Sequence, residues 1–325
     1  MLNLFLLLTL ALLSLLSLGF GEAPLSAGEV IAGLLGIGPE THQVIVREIR
    51  LPRVVLAWLV GLSLGASGAA LQGLLRNPLA EPGLLGISAS ASLGAVLTLY
   101  FGLALVNPWI LPAAAMFCAL LATLVLQALT RAGSNNLTLI LAGVALSSLA
   151  GALTSLALNL APNPSDAQDI VLWLLGSISD RSFDDIWLCL PFVLLGLTLL
   201  LWCAPSLDAL ALGEAEASSL GIDLGRLRTL IILGSALSVG STVAVTGAIG
   251  FVGLVVPHLL RRFVGFRPGP LLPASALGGA VLVLAADIAL RLPETGREPM
   301  LGVVTALIGA PFFLALVLRS RRDLL

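Results

Sequence analysis

LDALALGEAEASSLGIDLGRLR, Leu207 to Arg228, is the one clearly polar segment of this chain with long apolar runs on both sides. It has the pattern of two short amphipathic helices. Leu207, Leu210 and Leu212 lead into Gly213 and Glu214, and Ala217 and Leu220 then share a face that ends at Gly221. Glycine suits a helix C-terminus because it takes a left-handed backbone at little cost. Such a segment is either a solvated loop between membrane helices or a rigid feature that docks a partner. What flanks it decides between the two.

The flanks are those of a membrane protein. The 325 residues are 58% hydrophobic and 10% charged, where a soluble domain carries about 25% charged residues. Uncharged apolar runs of about 20 residues, enough to cross a bilayer, recur along the chain. The fold class is therefore all-α, a polytopic protein in which residues 1–325 form a single transmembrane domain. All sixteen basic residues are Arg. A Walker A loop needs a Lys on the phosphates, so the chain supplies no nucleotide site of that kind. The net charge of −2 gives no reason to expect nucleic acid as a partner. Cys118, Cys189 and Cys203 stand singly in apolar segments, without metal-ligand or disulfide spacing, and read as packing residues.

Upstream of the opening stretch, Met1–Phe20 reads as a retained first helix, since it lacks a basic n-region and a clear cleavage site. A polar stretch, Gly21–Arg53, precedes helix two, whose start Pro52 marks. Helix two, about Val54–Leu75, carries Gly61, Gly65, Ala69 and Gly73 at four-residue spacing. In lipid, small residues that let backbones approach mark a packed face, so these four are helix-packing positions. RNPLAEPGLLG, Arg76–Gly86, is a broken connection. Helices three to six follow at about Leu84–Val106, Trp109–Leu129, Leu137–Ala161 and Ile186–Ala204, the fifth repeating the small-residue ladder at Gly143, Ser147, Gly151 and Ser155. Between helices five and six, the short IVLWLLG piece suits a surface position. Downstream, Gly247, Gly250, Gly253 and Pro257 break a long uncharged run. Helix seven then ends near Thr246, helix eight is short (about Gly253–Phe263), and helices nine and ten are about Pro270–Arg291 and Leu301–Leu318.

Ten helices put both termini on one side. Arg76, Arg131, Arg226, Arg228, Arg261, Arg262, Arg267, Arg319, Arg321 and Arg322 share the side of the termini; Arg47, Arg50, Arg53, Arg181, Arg291 and Arg297 lie on the other, which has longer loops. The positive-inside rule makes the first side cytoplasmic, and Leu207–Arg228 with it.

Several motifs now carry a resemblance. IRLPR (Ile49–Arg53), NPLAEPGLLG (Asn77–Gly86), LAGVAL (Leu141–Leu146), GEAEASSLG (Gly213–Gly221), GAIGFVGLVVPHLLR (Gly247–Arg261) and GVVTALIGAPFF (Gly302–Phe313) resemble, in this order, the FecCD-type membrane subunits of ABC importers. The match runs from about residue 45 to the C-terminus. One departure is EPMLG, Glu298–Gly302, where the family usually reads E-hydrophobic-P-hydrophobic-G. The displaced Pro299 alters the expected turn into helix ten.

The resemblance implies a ten-helix permease of the bacterial inner membrane that pairs with a second copy of itself. Two cytoplasmic ATP-binding cassette subunits would carry ATP and Mg, leaving this chain with no cofactor, metal site or catalytic residue. A periplasmic or lipid-anchored solute-binding protein would deliver a bulky chelate: ferric siderophore, haem or cobalamin. Gly213, Glu214, Ala217 and Gly221 match the family's ATPase-coupling motif. Arg50, Arg53 and Arg291 match positions that grip acidic residues of the binding protein, a task that suits the planar guanidinium, with anchoring in lipid headgroups as the competing reading. Asn135 and Asn136, in the turn before helix five, fall at the cytoplasmic gate, where plain turn residues are the competing reading.

The rival is an ion-coupled secondary transporter, which would carry ionisable groups near mid-membrane. Asp287 is the only acidic residue deep in an expected span, and Arg291 four residues on makes a helix pair the better account of it. An intramembrane enzyme has less support, because His258 has no carboxylate or cysteine at ligand spacing.

Overall fold

The computed structural model describes residues 1–21, 23, 25–130, 136–292 and 298–322. Among them there is no strand. The apolar helices stand where the hydropathy put them: α1 (Leu2–Gly19), α2 (Leu51–Leu75), α3 (Ile87–Tyr100), α4 (Ile110–Leu129), α5 (Asn136–Asn159), α6 (Phe183–Trp202), α7 (Leu224–Thr246), α8 (Val252–Leu260), α9 (Pro268–Arg291) and α10 (Leu301–Arg322).

Ten full-length spans are not all seen. Seven described helices are long and apolar enough to cross a membrane, while Ile87–Tyr100 and the apolar part of α10, Leu301–Leu316, are shorter. The expected third span breaks because Gly102 turns left-handed at φ 64°, leaving Leu103–Val106 as a separate turn. The eighth has 9 residues, enclosed between the left-handed Phe251 (φ 65°) and a 3-10 turn at Arg261–Val264.

The polar stretch before helix two differs from the expectation. Ala27–Leu35 is a helix with a Ser26–Glu29 capping box. Helix then runs unbroken from Glu40 to Leu75, 36 residues, rather than starting at Pro52. Pro52 has no N–H to give to the carbonyl one turn back, and a π turn over Ile45–Arg50 precedes it. The wider turn accommodates the missing bond without ending the helix.

The core is built on α2. In their most apolar windows, 83% of the residues of the helix containing α2 and of α7 are buried, against 61% for α9 and 17% for α5. Helices α2 and α9 run antiparallel with backbones in direct contact. A Cβ placed on Gly61 would overlap the backbone of Ala280, and one on Gly65 would overlap the Ser275 carbonyl oxygen. Ala69 is buried in the same face, and Gly73 lies under Leu207 and Pro268. Gly68, off the four-residue ladder, meets the backbone of α8 at Gly253 just as closely. On the α7 side, Ser67 and Ser238 share a hydrogen bond of 3.3 Å. In α5 the ladder divides. Gly143 packs on Leu84 within the chain, whereas Gly151 has open space around it.

The breaks are pinned by backbone hydrogen bonds. Ser177 N–H donates to the Thr246 carbonyl (2.7 Å) and Gly302 N–H to the Gly176 carbonyl (3.1 Å), so the entry to α10 and the end of α7 share one turn.

Candidate functional site

Leu207–Arg228 folds as two short helices, Ala204–Leu210 and Glu214–Ser219, before α7 begins. Leu207, Leu210 and Ala217 are buried and anchor the segment, while Glu214 and Glu216 are exposed in the first turn of the second helix. The joint between the helices is Gly213 at φ 136°, a backbone that disfavours side chains. The second helix ends as its glycine foretold. Gly221 is left-handed (φ 83°), its N–H reaches the Ser218 carbonyl, and Ile222 N–H reaches the Ala217 carbonyl. That pair of bonds is a Schellman ending, which fixes the exit direction. Leu212 (68% exposed) and Leu220 (64%), expected to share the anchoring faces, are instead exposed, as Glu214 is.

The segment is also wired to the core by a residue that sequence reasoning passed over. Asp208 accepts the Gly269 N–H (2.8 Å) and an Arg267 Nη2 hydrogen (2.9 Å), capping α9 from outside its own chain segment. Its sequence signal was weak, one Asp in a polar stretch. Asp208→Ala is expected to lower stability by about 1 kcal/mol, the usual loss for an N-cap. Asp208→Asn, which keeps an acceptor for Gly269, is expected to lose less, because the Arg267 pair is exposed and screened. Thermal melts of the purified chain check both. Equal melting of Asp208→Ala and the parent would remove the cap.

At the opposite end of α2, the three singled-out arginines come together. Arg53 Nε donates to Asp287 Oδ1 and Nη2 to Glu298 Oε2, both at 2.8 Å. Arg291 Nη2 donates to Asp287 Oδ2 at 2.7 Å, the i,i+4 pair the sequence offered. Arg291 also donates to the Ser17 and Phe20 carbonyls (3.0 Å each) and to Ser17 Oγ. Arg50 holds the Leu18, Gly19 and Ala23 carbonyls. Each of these arginines thus has hydrogen-bond partners within its own chain. Burial raises the Glu298 carboxyl, but the Arg53 hydrogen bond and charge outweigh it, with Ser179 helping, and hold it below the usual carboxylate range. Glu298 and Ser179 were not singled out from sequence. The displaced proline of EPMLG pointed at this turn without naming its partner.

Of the two gate residues, Asn135 lies outside the described residues. Asn136 is the first residue of α5, with its Oδ1 3.5 Å from Arg228 Nη2 of α7.

Residues 8–319, almost the whole of this bundle, match the FecCD transport family. The chain belongs to that family. The FecCD chain is 42% identical over 295 residues to YvrB, an ABC transporter permease protein of Bacillus subtilis strain 168, covering 89% of this chain and 83% of that one. It is 42% identical to the cobalamin import system permease protein BtuC of Halobacterium salinarum over 285 residues, 87% of this chain and 75% of the relative. To the Fe(3+)-citrate import system permease protein YfmE of Bacillus subtilis it is 37% identical over 313 residues, 95% and 92% of the two chains. Among solved structures it is similar to a metal-chelate type ABC transporter in an inward-facing conformation, with a TM-score of 0.87, 33% identity and 98% of each chain covered. The FecCD chain is thus a multi-span membrane permease, and its relatives are transport subunits.

Proposed function

We propose that the chain is the permease of an ATP-driven importer in the bacterial inner membrane, moving a bulky metal chelate or cobalamin inward. It works as a homodimer with two ATP-binding cassette subunits docked on Leu207–Arg228 at the cytoplasmic face. Both termini lie on that face, and a solute-binding protein docks on the other. The observation that carries this reading is the rigid helix pair with Glu214 and two leucines exposed, on a segment anchored to the central helices by Leu207 and Asp208. A partner that moves it therefore moves α9. The exposed face of α5, including Gly151, supports pairing with a second copy. The cobalamin and ferric-citrate permeases among its relatives support the cargo class. Arg50, Arg53 and Arg291 serve the binding-protein face as its frame, holding α1, α2 and α9 in register. Asn135 and Asn136 serve as the inner constriction. ATP and Mg belong to the partner subunits.

The secondary-transporter alternative loses ground because both Asp287 carboxylate oxygens are taken by arginines. The test is Glu214→Arg in the complex reconstituted with its ATPase. It is expected to keep the fold, since Glu214 is exposed, and to lose at least about tenfold of stimulated ATP hydrolysis, the cost of opposed charge at a docking contact. Normal stimulated hydrolysis by a correctly assembled variant would remove coupling from this segment.

A further inference from the structure

Where α2 ends, its C-terminal turn, the turn after α8, the start of α9 and Ala211 enclose a cavity of about 230 Å3. One water needs about 10–15 Å3 of space on this measure, so the recess, which is open to solvent on one side, takes a small polyatomic ion with some of its hydration. Ala69, Pro268 and Leu271 form apolar wall, and Phe266 stands at the rim. The polar lining is one-sided. Arg76, Arg261, Gln72 and Asn77 face the cavity, and no acidic residue lines it among the described residues.

Three of these groups are donors toward the cavity, and the fourth, Gln72, positions one of them. Gln72 Nε2 points to the Gly253 and Leu254 carbonyls (3.3 and 3.4 Å), which turns its Oε1 to accept Arg261 Nη2 at 2.6 Å. That bond orients the Arg261 guanidinium and leaves its charge uncompensated. Among the described residues neither Arg261 nor Arg76 has a carboxylate within ion-pair distance. Asn77 Oδ1 accepts the Leu79 N–H (2.9 Å), so the amide N–H2 is the end left to donate. Arg76 occupies the left-handed C-terminal position of α2 (φ 50°), where glycine is the low-cost residue. A partly buried cation such as Arg261 is unfavourable without a counter-ion. With the more exposed Arg76 beside the same recess, the pair calls for an anion.

We infer that this cavity binds a phosphate-class anion. A tetrahedral oxyanion offers several acceptors at once, which matches two guanidinium forks and an amide better than a spherical halide does. The inference rests on the importer reading only in placing this end of α2 on the cytoplasmic side. That placement offers two sources, a soluble phosphate or the headgroup of an anionic phospholipid.

The experiment uses the full chain purified in lipid-free maltoside. Inorganic phosphate is titrated by calorimetry at constant ionic strength against chloride, for the parent, Arg261→Gln and Arg76→Gly. Saturable binding in the parent, weakened about tenfold in each variant, is expected from the loss of one charge-assisted contact. Arg76→Gly guards against a folding artefact, because glycine suits that backbone, and thermal melts confirm that both variants stay folded. Phosphatidylglycerol is then added and its retention read by native mass spectrometry. Retained lipid that displaces phosphate identifies a headgroup site, and phosphate binding without lipid retention identifies a soluble anion. Absence of both, or equal binding by folded variants and parent, overturns the proposal. Neither result bears on ATP-dependent uptake, so the importer reading fails or stands separately.

Discussion

Asp287→Asn is expected to lower the stability of the folded chain by about 3–5 kcal/mol, the usual cost of removing one partner from a buried ion pair. The Asp287 side chain is 1% exposed, and it faces two guanidinium groups whose side chains are 14% (Arg53) and 5% (Arg291) exposed. Neutralising it leaves two positive charges against Glu298 alone, which is half-exposed and forms an ion pair only with Arg53 among the described residues. An amide also turns an N–H2 toward donors that need an acceptor. The measurement is thermal unfolding in nanodiscs, with Asp287→Asn compared against Asp287→Asn combined with Arg53→Gln. The double variant should recover part of the loss, because it removes a charge that the neutral amide cannot balance. If the single variant melts with the parent, the cluster is solvated and the charges do not depend on one another. The consequence is also mechanical. The cluster joins α2, α9 and the lead-in to α10, while Arg291 reaches the end of α1. Its loss should loosen that end of the bundle before the other.

The second large effect is steric. Gly65→Val should prevent folding to the native packing, and Gly65→Ala should cost about 1–3 kcal/mol, the range for overpacked cores. The atom that an added Cβ meets is a backbone oxygen, that of Ser275, and no rotamer change moves it aside. The α2–α9 pair must therefore separate along its length, which forfeits the close contact at Gly61 as well. Gly151→Ala in α5 is the control for packing within one copy of the chain. Its surroundings are open, and alanine is the better helix former by about 1 kcal/mol, so the chain should fold at least as well as the parent. Folding yield and melting temperature of the purified variants read the contrast. Equal behaviour at the two sites would mean that α2 and α9 do not touch as described.

The two ladders show what a sequence pattern carries. Four small residues at four-residue spacing look alike in α2 and α5, and the pattern marks a smooth helix face in both. Which face meets backbone, and which lies open, depends on what the rest of the chain brings there. Gly68 makes the same point in reverse. It breaks the spacing, yet it meets Gly253 because α8 crosses α2 on a second side.

What the sequence determined by itself is local or additive. Span positions follow from runs of apolar residues, since transfer to lipid sums along the chain. The helix pair at 207–228 follows from periodicity, and its ending follows from Gly221, because a left-handed backbone is a property of one residue. The break after Thr246 follows in the same way from Gly247 and its neighbours. Tertiary structure decided the rest. Arg53 and Asp287 are 234 residues apart, and Asp208 and Gly269 are 61 apart. A charge in a sequence states that a partner is needed and leaves its identity open. The sequence paired Arg291 with Asp287 but offered Arg50 and Arg53 only a docking partner or lipid headgroups. Folding brought Asp287, Glu298 and the end of α1 to them, and burial made those contacts the ones that satisfy their charge. Pro52 read as a helix start because a missing N–H suits a first turn. The packed helix kept running through it, with a π turn taking up the missing bond.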